Sequence, residues 1–206
     1  LQQLINGLTI GSAYALVAIG FTMVFGVLEL VNMANGAFYV LGGYLTLIFL
    51  TQLQWNFFLA LLASMMITGG LGALMDRVAL SPIRKRRASK IAALISTVGL
   101  GTAVTNFILV FFGTETKRFP DVFNLGKIRL GGIIITWMQI IIFAVTVIMM
   151  AVLSLIVYKT KLGMGKRAIA QDADAAKLMG IHTDHIITFT FFIGTMCVGV
   201  AGTLVA

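Results

Sequence analysis

Ile133-Ile-Ile-Thr-Trp-Met-Gln-Ile-Ile-Ile-Phe-Ala-Val-Thr-Val-Ile-Met-Met-Ala-Val-Leu-Ser-Leu-Ile-Val-Tyr158 carries no charge from end to end, and Lys159 follows it at once. A helix of this length spans a hydrocarbon core about 30 Å thick at about 1.5 Å per residue. Working outward, uncharged apolar runs recur at 4–27, 36–51, 57–75, 91–112 and 186–206. With 133–158 they predict six spans in an all-α, polytopic integral membrane protein. The run 36–51 is short for a full crossing. Hydrophobic residues make up 59% of the chain and charged residues 11%, with a mean hydropathy of +1.02. An ordinary soluble domain, about 25% charged, is excluded.

The charges are confined to Glu29 and to the segments 76–90, 115–129 and 159–184. Cytoplasmic loops collect Lys and Arg. Arg77, Arg84, Lys85, Arg86, Arg87 and Lys90 against Asp76 alone therefore place 76–90 in the cytoplasm. Loop 159–185, two crossings later, carries Lys159, Lys161, Lys166, Arg167 and Lys177 and falls on the same side. The mixed loop 113–132 lies outside, as does the N-terminus if 36–51 crosses. Within 113–132, Phe119-Pro120, Asn124-Leu-Gly126 and Gly131-Gly132 read as turns, with room for a short hairpin. Trp55 and Trp137 stand at span ends, where indoles mark the interface.

The net charge of +8 is explained by membrane-flanking loops and anionic headgroups, not by nucleic acid. The single cysteine, Cys197, lies in an apolar run and has no partner for an intrachain disulfide. Gly7, Gly11 and Ala15 recur every fourth residue along one helix face, which predicts a face buried against a neighbouring helix. Gly69-Gly70, Gly72-Ala73, Gly99 and Gly101 suggest similar close packing.

Two segments break the apolar pattern. Glu29-Leu-Val-Asn-Met-Ala-Asn-Gly36 is either a cytoplasmic turn or a break within the membrane, with a half-helix restarting at Asn35 beside a water-filled path. Gly42-Gly43, which weakens the helix again, favours the second reading. On it Glu29, Asn32, Asn35 and Gly36 are candidate path residues, joined by Ser96 and Thr97 on the polar side of the fourth span. Thr102, Thr105 and Asn106 extend that side. The second segment, 163–181, is an Ala-rich, charged block that predicts a short cytoplasmic helix stopped at Gly180. Its candidate contact residues are Lys166, Arg167, Asp172, Asp174, Ala175, Ala176, Lys177 and Gly180. A helix hung below a bundle is there to touch something.

Three motifs then resemble one family. Gln2-Gln-Leu-Ile-Asn-Gly-Leu-Thr-Ile-Gly-Ser-Ala-Tyr-Ala-Leu16 is similar to the opening of the permease subunits of branched-chain amino acid ATP-binding-cassette (ABC) importers. Asn32-Met-Ala-Asn-Gly-Ala-Phe-Tyr-Val-Leu-Gly-Gly-Tyr44 resembles the family's Asn-x-Ala-His-Gly motif, with Asn35 where histidine is usual. Gly165-Lys-Arg-Ala-Ile-Ala-Gln-Asp-Ala-Asp-Ala-Ala-Lys-Leu-Met-Gly-Ile181 resembles its cytoplasmic coupling loop. Asp174-Ala-Ala-x-x-x-Gly180 also matches the first half of the broader ABC-importer coupling pattern. The distal Ile followed by Leu-Pro is absent.

The resemblance implies a single transmembrane permease domain over 1–206, truncated at both ends and with about eight spans in full. Segment 159–185 would be its coupling loop and 113–132 a periplasmic loop. It implies a multi-pass protein of the bacterial inner membrane, surrounded by lipid. Its partners would be a second permease subunit, two ABC ATPase subunits and a periplasmic substrate-binding protein. The chain would bind no cofactor of its own, ATP and Mg²⁺ sitting on the ATPases. Urea and short-chain amide permeases share the wider family.

Rival classes are weaker. Asp172 and Asp174, or His182 and His185 at i, i+3, are metal-ligand types, but the acids lie in an Ala-rich helix and the histidines flank a loop. No phosphate-binding Gly-x-x-x-x-Gly-Lys-Ser/Thr occurs. A secondary carrier places ionisable groups inside its spans, and Glu29 is the one candidate here. The charge pattern makes a direct prediction of sidedness: a cysteine at Ser89 is labelled only from the cytoplasm and one at Asn124 only from outside. Labelling of both from one side would refute the topology.

Overall fold

The computed structural model describes residues 2–28, 31–86, 88–113, 127–130 and 133–205. Glu29, Arg87, the turns at 119–126 and Gly131-Gly132 lie outside them. The helices run α1 Gln2–Leu28, α2 Asn35–Thr51, α3 Phe57–Met75, α4 Ser81–Lys85, α5 Lys90–Phe112, α6 Trp137–Lys159, α7 Lys161–Gln171, α8 Ala173–Leu178 and α9 Thr183–Val205. Strands β1 Lys127–Leu130 and β2 Ile133–Thr136 form an antiparallel pair ahead of α6. Among the described residues five helical segments are long and apolar enough to cross a membrane, and α2 is a sixth, shorter apolar helix. The chain is a multi-pass membrane protein.

Two boundaries differ from the sequence reading. The fifth span starts at Trp137, because β-branched Ile133–Ile135 pair as a strand. Gln139 Oε1 then accepts from the Thr136 N–H at 3.2 Å to open the helix. The third span does not stop at Met75. A π-helical turn, Asp76–Leu80, carries it on into α4, so that 57–85 is one helical rod. Pro82 sits in the first turn of α4. It supplies no N–H to the turn before it, and the Ser81 N–H reaches back five residues to the Asp76 carbonyl.

The bundle is built around α9, whose residues are mostly buried, with α1, α2 and α3 packed along it and α6 against α1. Lipid offers helices no hydrophobic drive to associate, so contact depends on close fit and interhelical hydrogen bonds. α9 supplies both. A Cβ added at Gly20 would lie 2.5 Å from the Gly194 carbonyl oxygen. Gly42 meets the Gly199 backbone, Gly202 the Tyr39 carbonyl, and Gly72 the Thr195 side chain, with no room for a side chain at any of these glycines. Thr46 Oγ1 donates to Ser64 Oγ at 2.8 Å and shares a 2.8 Å hydrogen bond with Thr203 Oγ1, joining α2, α3 and α9.

The Gly7/Gly11/Ala15 face is not the packing face. Gly7 and Gly11 are exposed and a Cβ on either meets nothing within 4 Å. α1 instead buries Ser12, Ala13, Leu16, Val24 and Val27. The contrast is testable. Gly42→Val overpacks the α2–α9 contact and lowers stability by about 1–3 kcal/mol, whereas Gly7→Val leaves it unchanged, as read by thermal unfolding in detergent. Equal melting of the two variants would refute the assignment of the packing faces.

Candidate functional site

The polar break after α1 folds back onto α5. Asn32 and Asn35 are buried, and Asn32 Nδ2 donates to Asn35 Oδ1 at 3.0 Å. Asn32 Oδ1 accepts from the Ala34 N–H at 3.1 Å, the short side-chain turn to which asparagine is suited. The Met33 N–H donates to Thr97 Oγ1 at 3.3 Å, and Thr97 in turn donates to the Leu94 carbonyl. A Cβ on Gly101, midway along α5, would lie 3.1 Å from Ala34 Cα. The break therefore sits level with the middle of α5 rather than at either of its ends. Of the predicted path residues, Asn32, Asn35 and Thr97 come together. Gly36 faces outward, Ser96 is half-buried on α5, and Glu29 lies outside the described residues.

Beside this turn is an open groove of about 300 Å³, lined by Met33, Ala37, Gly101, Thr102, Thr105 and Asn106 among others. The Thr102 and Thr105 hydroxyls donate to carbonyls one turn back, and Asn106 Nδ2 donates to the Thr102 carbonyl, each at 2.9 Å. All three side chains are nonetheless exposed. Such a face at mid-depth is costly against lipid and suits water or a second protein. Asn35 Nδ2 is buried with no hydrogen-bond partner among the described residues. Its sequence neighbours Met33 and Ala37 both line the groove.

The second site hangs below the bundle. The block 163–181 is two helices, not one. Asp172 ends α7 in extended backbone, and its Oδ1 accepts from the Asp174 and Ala175 N–H groups at 2.9 and 3.0 Å, so it caps α8. α8 closes with paired bonds from the Gly180 N–H to the Lys177 carbonyl and from the Ile181 N–H to the Ala176 carbonyl. That closure puts Gly180 at φ +80°, where a side chain is strained.

α7 lies flat against the bundle because Gly163 and Gly165 leave no room for side chains against Val157 and Ile186. Its N-terminus is capped by Thr160 Oγ1, which accepts from the Gly163 N–H at 3.1 Å.

The predicted contact residues divide. Asp174, Ala175 and Lys177 are exposed, with Lys177 3.6 Å from Asp174. Arg167 stacks over the Tyr158 ring at 5.7 Å. Ala176 is buried against the bundle, and Lys166 turns into it, its Nζ 2.7 Å from Met23 Sδ. Neither of these two faces outward, because they lie on the sides of α8 and α7 that the bundle covers. The sequence reading gave no role to Leu178 and Met179, which are 90% and 82% exposed at the end of α8. Two large apolar residues before the stopping glycine of a charged block were the available signal.

Burial pushes the Lys166 ammonium down to about 8 from its ordinary value of 10.5. Between those values the folded state binds fewer protons than the unfolded chain, so this group makes stability rise with pH across that window. Lys166→Met removes the cost, giving a higher melting temperature at pH 7 and a flatter profile from pH 8 to 10. Parallel profiles for variant and wild type would show that Lys166 is fully solvated.

The family model described as branched-chain amino acid transport system / permease component matches residues 3–206. The chain is 36% identical to the high-affinity branched-chain amino acid transport system permease protein BraD of Pseudomonas aeruginosa, over 99% of this chain and 70% of the relative. It is 34% identical to LivH of Escherichia coli K12, a protein of the same description, with the same coverage. A probable branched-chain amino acid transport permease protein LivH of Methanocaldococcus jannaschii is 27% identical over 92% of the chain and 61% of the relative. No solved structure matches significantly. With a family model matching residues 3–206 and relatives 34–36% identical over nearly its whole length, the chain belongs to the branched-chain amino acid transport permease family.

Proposed function

We propose that this chain is the membrane-spanning subunit of an ABC importer for branched-chain or closely related amino acids in the bacterial inner membrane. The observation that carries the reading is α8. It is a helix capped at both ends, seated on the bundle by Ala176 and leaving Leu178 and Met179 exposed at its end. Exposed apolar residues on a rigid element are what a docking partner buries. The partner is an ATPase subunit, which holds ATP and Mg²⁺; a second permease subunit and a periplasmic binding protein complete the importer.

In this reading the groove beside Gly101 is one wall of the translocation path, closed by the second permease subunit. Its polar groups, Thr102, Thr105 and Asn106, replace part of the water around a zwitterion, while Met33 and Ala37 accommodate an apolar side chain. The chain performs no covalent chemistry. It alternates between two packings of similar free energy, and the ATPases bias that equilibrium through α8.

The test is reconstitution with candidate ATPases, a second permease and a binding protein from the same source. ATP-dependent uptake of leucine, isoleucine or valine is expected. Leu178→Ser with Met179→Ser should abolish ATPase co-purification and uptake while leaving membrane insertion intact. Uptake of urea or a short amide without leucine would shift the substrate class, and uptake without ATPases would replace the importer with a channel or carrier.

A further inference from the structure

The cytoplasmic end of the bundle holds a charge cluster that plays no part in docking or in the groove. Asp76 is fully buried. Both its carboxylate oxygens face Arg84, Nη1 to Oδ1 and Nη2 to Oδ2, the latter at 3.2 Å. Thr188, on the second turn of α9, donates its hydroxyl to Asp76 Oδ2 at 2.7 Å. Arg84 Nη2 also lies 3.8 Å from Asp184 on the first turn of α9. Among the described residues, the hydrogen bonds and ion pairs between 76–85 and 161–188 all pass through Asp76 and Arg84.

A buried ion pair is a poor source of stability, because an apolar pair of similar volume is often as stable or more so. Its position suggests another task. Asp184 and Thr188 open the helix that follows Gly180, the residue closing α8. Across from them, Arg84 and Lys85 face Ala173 and Lys177 of α8 over a cleft of about 240 Å³. α4 and α8 are thus separated by open space, and among the described residues Asp184 at the base of α9 lies within charge contact of α4 alone. On the other side, the π-helical turn runs directly into α3, which is packed along α9 by Gly72 and by Gly199 against Thr68.

We infer that Asp76 and Arg84 are positioning residues for energy coupling. The buried fork locks α4 and the foot of α3 to the base of α9, so that displacement of α8 by an ATPase moves α3 and α9 as one body. Without it the cleft between α4 and α8 takes up the motion. This inference rests on α8 being the ATPase contact.

The experiment uses the complete reconstituted importer and reads substrate imported per ATP hydrolysed. Asp76→Leu with Arg84→Met exchanges the ion pair for an apolar pair that should fold and assemble. ATPase co-purification and basal hydrolysis are expected to stay within about twofold, while import per ATP falls about tenfold, within the range of ordinary coupling free energies. Thr188→Val, which keeps the ion pair but removes its tie to α9, should lower the same ratio by a smaller factor.

A wild-type ratio in the assembled double variant overturns the proposal and leaves the pair a structural prop. If the double variant does not assemble, Thr188→Val decides alone: a lowered ratio supports the proposal and a wild-type ratio overturns it. Failure of the α8 reading is seen separately. It would appear as undiminished ATPase association in the Leu178 and Met179 double variant, whereas the ion pair is read only in assembled complexes.

Discussion

Everything in this fold depends on how closely other helices can approach α9. In water an amphipathic stripe decides which face of a helix is buried, but here lipid is as apolar as any helix surface and that signal is lost. What remains is steric. Gly194, Gly199 and Gly202 let α1, α2 and α3 reach the α9 backbone. The Thr46, Ser64 and Thr203 hydroxyls then satisfy one another where the three helices α2, α3 and α9 meet. Dispersion attraction between backbones at that distance holds the bundle together. The central helix is the one whose glycines, Gly194, Gly199 and Gly202, all meet other helices, and its neighbours sit where their own glycines or side-chain gaps allow.

That tight centre leaves α5 at the margin, largely exposed, with polar Thr102, Thr105 and Asn106 on its open side. The break at 31–34 is held against α5 by Gly101 and Thr97, so irregular backbone meets a polar helix face half-way along its length. Backbone that leaves its helix at membrane depth is tolerated where protein or water covers it.

In the block 161–181, local chemistry builds a rigid part from a short peptide. α8 has only six residues, too few to persist alone. Asp172 satisfies its first N–H groups, the Gly180 turn satisfies its last carbonyls, and Ala176 is buried in the apolar cluster that also holds Val27, Ile169 and Ile187. Two caps and one seated residue thus make a rigid element of a helix too short to persist alone.

Much of this was legible in the sequence. Uncharged runs of fixed length can only be spanning helices, so the class and the six helices followed from 133–158 and its counterparts. Gly180, read as a stop, adopts the left-handed backbone that a stop requires, because φ is a local property of the chain. Sequence could not say which small residues meet: Gly7 and Gly11 have the spacing of a packing face yet point outward, while Gly20 and Gly194, far apart in the chain, touch. Nor could spacing show that Asp172 divides the block 163–181, that Ala176 and Lys166 turn inward, or that Asp76 pairs with Arg84 beneath Thr188. Helix length and polarity are set by nearest neighbours along the chain and by the bilayer. Which face is covered depends on residues distant in sequence, and only the assembled bundle decides it.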